Sequence, residues 1–88
     1  MAGFPQLREA GWLYGVDPTL PLALVRLFGH VDGSGRWEVR VNSPAHEASQ
    51  VAVFDGDDAE QQARAELGRI YAEGGGHGTW RVRQPDAY

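Results

Sequence analysis

RWEVRVNSPAHEASQVAVFDGDDAEQQARAELGRIYAEGGGHGTWRVRQ, residues 36–84, is the stretch that decides the fold. Trp37, Val39 and Val41 alternate with Arg36, Glu38 and Arg40, the period-two pattern of a strand with one buried face. Gln50 to Phe54 reads as a short strand closed by Asp55-Gly56. Ala59, Ala63, Leu67, Ile70 and Tyr71 then recur at the three- and four-residue spacings of one helical stripe. Asp57 fits as the helix cap with Glu60 three residues on, and Gly74 fits as the stop. Thr79 to Gln84 is a last strand with Trp80 and Val82 inward. Gly68, mid-helix, costs about 0.8–1 kcal/mol relative to Ala and either admits a neighbour or is tolerated.

Working outward, Leu22 to Val31 is rich in strand-forming residues and apolar on both sides, which predicts a central or covered strand. Asp32-Gly33-Ser34-Gly35 is a turn signal, so this strand and Arg36–Asn42 form a hairpin. Residues 1–21 match neither period and are punctuated by Pro5, Pro18 and Pro21. They read as an aromatic N-terminal arm packing across the domain or onto a partner. The expected fold is a single small α+β domain. It has a three- to four-stranded, mainly antiparallel sheet in the order β-β-β-α-β, with one helix on one face. The arm spans 1–21, the domain 22–84 and a tail 85–88. The expected core is Trp37, Val39, Val41, Leu67, Ile70, Tyr71, Trp80 and Val82. A β-α-β crossover predicts a last strand parallel to its sheet neighbour or to a strand nearby.

The 88 residues suit one domain with a thin core. There is no cysteine, hence no disulfide framework or thiolate chemistry, which suits a reducing, cytoplasmic location. No signal-peptide pattern or membrane-length apolar run is visible. All eight basic residues are arginine, a bias that suggests a high-GC genome such as that of an actinobacterium or its phage. The net charge of −4 disfavours generic coating of nucleic acid.

No catalytic set can be assembled. His30, His46 and His77 lie in separate segments without metal-ligand spacing. The glycines around His77 follow a helix rather than precede one, the wrong end for a phosphate cradle. Asp55, Asp57 and Asp58 fit a helix start better than a calcium loop. No cofactor, metal or small-molecule substrate is expected.

Two groups of residues remain. Arg36, Arg40, Arg81 and Arg83, joined by Arg26, should share the sheet face away from the helix, with Phe28 and His30 among them. They form a candidate anion or nucleic-acid surface. Phe4, Trp12, Leu13 and Tyr14 of the arm are candidate partner contacts, since aromatics and arginine are enriched at interfaces. The leading expectation is a non-enzymatic protein-interaction module, such as a regulator, phage accessory protein or assembly subunit, with a protein partner or self-association. The alternative is nucleic-acid binding through the arginine face.

Gly35-Arg36-Trp37-Glu38-Val39-Arg40-Val41, then Val53-Phe54, then Ala59-Glu60 and Leu67 on a helix, resemble the arm-type (AP2-like) DNA-binding domain of phage-type integrases. The resemblance runs from Gly33 to Ala72. It implies a sheet laid in the DNA major groove, with Arg36 and Arg40 as contacts. The chain departs from that pattern in having no lysine, no basic loop at Ser43–Ser49 and a strand after the helix.

Overall fold

A computed structural model describes residues 5–30, 35–43 and 48–85. The chain is α+β. Its elements are β1 (Pro5–Tyr14), β2 (Pro21–His30), β3 (Trp37–Ser43), β4 (Ala48–Phe54), α1 (Ala59–Gly74) and β5 (Thr79–Arg83). The five strands form one antiparallel sheet in the order β4-β3-β2-β1-β5.

The expected hairpin is present. Leu24 pairs with Asn42 and Gly29 with Trp37 in unbroken register, and His30 N–H donates to the Arg36 carbonyl at 2.9 Å. β2 lies in the middle of the sheet, the central position that its apolar residues on both sides suggested.

Most of the described part of the expected arm is a strand of the sheet. Residues 5–14 are β1, an interior strand between β2 and β5. Its alternation is hidden by a bulge. Leu7 pairs with Phe28 and Glu9 with Leu27, which leaves Arg8 as the extra residue and reverses the phase of the rest of the strand. Beyond the bulge, the helix-side positions are Glu9, Gly11 and Leu13, which do not read as an apolar row. Glu9 is buried and accepts hydrogen bonds from the Tyr71 hydroxyl and from Gln84 Nε2, each at 2.8 Å. Gly11 leaves room for the Tyr71 ring, since a Cβ there would lie 2.7 Å from Cε1 and the hydroxyl. The strand is therefore read only once its partners are in place.

The last strand meets the second form of the crossover expectation, parallel to a strand nearby rather than to its neighbour. β5 runs antiparallel to its neighbour β1, and thus in the same direction as β2 and β4. A 16-residue helix is about 24 Å long. Four strand spacings come to about 19 Å. The helix thus carries the chain from one edge of the sheet to the other.

The core lies between α1 and the sheet. Val25, Leu27, Val39, Ala63 and Leu67 are buried there, with Trp37, Val41, Phe54, Ile70, Tyr71 and Trp80 packed around them. Val82, expected inside, is 51% exposed because β5 is an edge strand beyond the main cover of the helix. Trp37 is flanked by Arg8 and Arg64, whose guanidinium carbons lie 5.8 and 5.5 Å from a Trp37 ring centroid.

The helix start differs in detail. Asp58, not Asp57, is the cap residue, and its side chain makes no capping hydrogen bond. A turn at Gly56, with φ of +98°, leads into it, and the Asp58 carbonyl accepts from Gln62 N–H at 2.9 Å. At the other end the chain leaves without a left-handed residue, since Gly75 stays helical at φ −60°. Gly74 is still in the helix and is there for space, because a Cβ would run into the Trp80 indole. Gly68 has nothing within 4 Å of a Cβ position. Gly68→Ala is therefore expected to stabilise the protein by about 0.5–1 kcal/mol, read as a higher denaturant midpoint at unchanged m-value.

Candidate functional site: the open face of the sheet

Strand alternation sends the side chains opposite the helix to an open face. Across the sheet, Val51, Arg40, Arg26, Ala10 and Arg83 stand opposite one another in one row. The next row is Ser49, Asn42, Leu24, Trp12 and Arg81. Arg26, Arg40, Arg81 and Arg83 thus share the face, as expected, and Trp12 and Tyr14 share it with them. Leu13 does not. It points to the helix side at 6% exposure and belongs to the interior, because it lies one residue out of phase with its neighbours. Phe4 lies outside the described residues, as do His46 and residues 31–34.

The middle of this face is locked by its own contacts. Arg26 and Arg40 are directly opposed like charges, an arrangement that weakens a sheet unless it is compensated. Both guanidinium groups lie over Phe28, at 4.6 Å for Arg40 and 5.7 Å for Arg26. Glu38 is buried beside them and accepts from Arg40 Nη2 at 3.0 Å and Nε at 3.2 Å, while its other oxygen pairs with His30 Nε2. Burial pushes the Glu38 carboxyl up, but the hydrogen bonds and charges of His30 and Arg40 outweigh it and hold the group below the ordinary carboxylate value. Arg26 Nη2 donates to Asn42 Oδ1 at 3.0 Å, and Asn42 Nδ2 to Ser49 Oγ at 3.3 Å. Arg26 Nε is buried without a hydrogen-bond partner among the described residues. Arg36 sits at the end of the sheet, paired with Asp55 at 3.0 Å, and is not part of the central cluster.

The β1–β5 side is arranged differently. Arg81 lies over the Tyr14 ring at 4.7 Å. Among the described residues, no carboxylate lies within ion-pair distance of Arg81 or Arg83. Trp12, Tyr14, Arg81, Val82 and Arg83 line a shallow, open cavity of about 270 Å³. That is below the roughly 300–1,000 Å³ of pockets that enclose small molecules. A side chain or the edge of a larger partner fits it better than a buried substrate.

The chain matches no family model, no curated protein and no solved structure.

The helix side carries the opposite charge. Arg64 is paired with Glu60, and Arg69 with Glu66 and Glu73, so both helix arginines are answered on the helix itself. Asp57 and Asp58 add further exposed acid at its start. Among the described residues, no three His, Cys, Asp or Glu side chains converge as metal ligands, and no helix is long and apolar enough to cross a membrane. Sequence reasoning placed the arginines by alternation. It missed that Trp12 and Tyr14 would join them, because the Arg8 bulge conceals the strand that carries them. It also missed exposed Val51 and Val53 on the same face, although the alternation in Ser49–Phe54 carried that signal.

Proposed function

We propose that the chain is a non-enzymatic protein-interaction module, a regulator or subunit of a larger assembly. In this reading its open sheet face takes an acidic segment of a partner protein at the β1–β5 end. The observation that carries it is Arg81 and Arg83, exposed, without a carboxylate partner among the described residues, beside Trp12 and Tyr14. Arginine and aromatic side chains together are what interface centres favour. An acidic segment would supply the charge that no described carboxylate of the chain supplies there. The absence of cysteine suits a cytoplasmic setting for such a role.

A second reading is nucleic-acid binding by the same arginines, favoured by the row of Arg40, Arg26 and Arg83 across an open sheet. It is weaker for two reasons. Arg40 is already neutralised by Glu38, and Phe28 is covered by guanidinium groups rather than free to stack on a base.

The two are separated by fluorescence anisotropy with a labelled glutamate-rich peptide and a labelled DNA duplex. The peptide is expected to bind. Arg81→Glu combined with Arg83→Glu is expected to weaken it at least about tenfold, a loss of about 1.4 kcal/mol, with far-UV circular dichroism unchanged. Binding of the duplex alone, falling steeply with salt, would favour the second reading. Undiminished affinity in the double variant would remove this surface from both.

A further inference from the structure

The sheet has two edges, and they are built in opposite ways. β5 is five residues long, carries Arg81 and Arg83 and is followed closely by Pro85. Short length, charge and proline are the usual means of keeping an edge from pairing. β4 has none of them. Its seven residues, ASQVAVF, contain no charge, no proline and no glycine. It pairs with β3 from Trp37↔Phe54 to Ser43↔Ala48 without a bulge, so its outer edge stays regular. Among the described residues, alternate N–H and C=O groups along that edge have no strand to meet. Val51 and Val53 stand beside it at 55% and 49% exposure.

We propose that β4 is a homodimer edge, pairing antiparallel with β4 of a second copy about a two-fold axis perpendicular to the sheet. This goes beyond the reading of the arginine face and does not depend on it. The apolar pattern selects the register. With Ala52 on the axis, Val51 of each copy stands opposite Val53 of the other on the open face, so both exposed valines are matched twice. On the helix side, Ala52 meets Ala52 of the second copy, the small pair that lets two helix-covered faces come together. Gln50 stands opposite Phe54, and Ser49 opposite Asp55. Within β4 no charged residue stands opposite another in that register. A register centred on Val51 would match valine only once, with Val53 set against Ser49.

The pairing also closes. A two-fold contact uses up β4 on both copies and leaves two β5 edges outermost, which are short and bear arginine. The product is a ten-stranded sheet with both helices on one side and both open faces on the other, not a filament. A second copy is the occupant the strand's own pattern points to, since an uncharged edge has nothing with which to select a charged partner strand and this self-register matches both of its exposed valines.

The test is sedimentation equilibrium on the full chain. Wild type is expected at twice the mass of the 9.6 kDa chain. Val51→Lys and Val53→Lys, each at a solvent-facing edge position, are expected at the single-chain mass with unchanged far-UV circular dichroism. The register is tested separately, because the chain has no cysteine of its own. A mixture of Val51→Cys and Val53→Cys chains is expected to cross-link under mild oxidation faster than either alone. A wild-type monomer at the highest soluble concentration overturns the proposal and leaves the edge to some other strand. So does a dimer that survives both lysine variants, or an open-ended series of larger species. Faster cross-linking of either single variant by itself overturns the register.

Discussion

Gly74→Ala is expected to destabilise the protein by about 1–3 kcal/mol, although the same change inside an exposed helix stabilises by about 1 kcal/mol. An ideal Cβ at residue 74 would lie 2.7 Å from both Cε2 and Nε1 of Trp80 and closer still to its Cζ2. The indole must move. It then gives up its hydrogen bond from Nε1 to the Tyr71 carbonyl at 2.9 Å and its edge-on contact with the Tyr71 ring at 4.9 Å between centroids. Overpacking costs about 1–3 kcal/mol and the hydrogen bond about 0.5–1.5, against the propensity gain. For 88 residues, total stability at about 0.05–0.15 kcal/mol per residue is only about 4–13 kcal/mol. The loss should therefore lower the thermal midpoint by several degrees and shift tryptophan emission to the red. A midpoint that rises, as expected for Gly68→Ala, would show that Trp80 does not occupy this place.

Glu38 carries the other large effect. Glu38→Ala leaves His30, Arg40 and the opposed Arg26 together on the open face without their carboxylate. Removing one partner of a fully buried ion pair costs about 3–5 kcal/mol; here about 2–3 is expected, because the Arg40 side chain keeps 35% of its surface in solvent. The pH dependence stems from the depressed carboxyl. In the unfolded chain Glu38 takes a proton near the ordinary value of 4.5, whereas in the fold it resists until lower pH. Its contribution is thus fully present above that ordinary value and is lost as pH falls through the depressed one. Denaturant midpoints measured from neutral pH down to acid should converge for wild type and Glu38→Gln. Parallel curves with a constant gap would mean that Glu38 is not held ionised by His30 and Arg40.

Tyr71 gives the alkaline counterpart. Burial, then the hydrogen bond and charge of Glu9, raise its phenol well above the ordinary value of 10. Its folded-state advantage is full below that value and is lost as pH rises above it, through the raised one. The acid and base limits of the fold therefore rest on contacts on opposite sides of the sheet.

Much of this was legible in the chain because it is local. Alternation in Arg36–Asn42 placed Trp37, Val39 and Val41 under the helix and Arg40 on the open face. The stripe from Ala59 to Tyr71 gave the helix and its buried side. Arg81 and Arg83 came from the same period. These features depend only on the direction in which successive side chains leave a strand or helix, and neighbours in sequence fix that direction.

Tertiary structure decided the rest. β1 is invisible as a strand because one extra residue at Arg8 reverses its phase, and because Glu9 and Gly11 are inward for reasons that lie about sixty residues away, in the ring and hydroxyl of Tyr71. Gly68 and Gly74 look alike in sequence. Only the arrival of Trp80 makes one of them a spacer and leaves the other a plain weakness. The joining of Trp12 and Tyr14 to the arginines, and the exposure of an uncharged β4 edge, depend on strand order. That order was set by a helix long enough to cross the whole sheet. The physical reason is common to all of these: a side chain's direction is a property of its own backbone, but what it meets is a property of chain segments brought together from a distance.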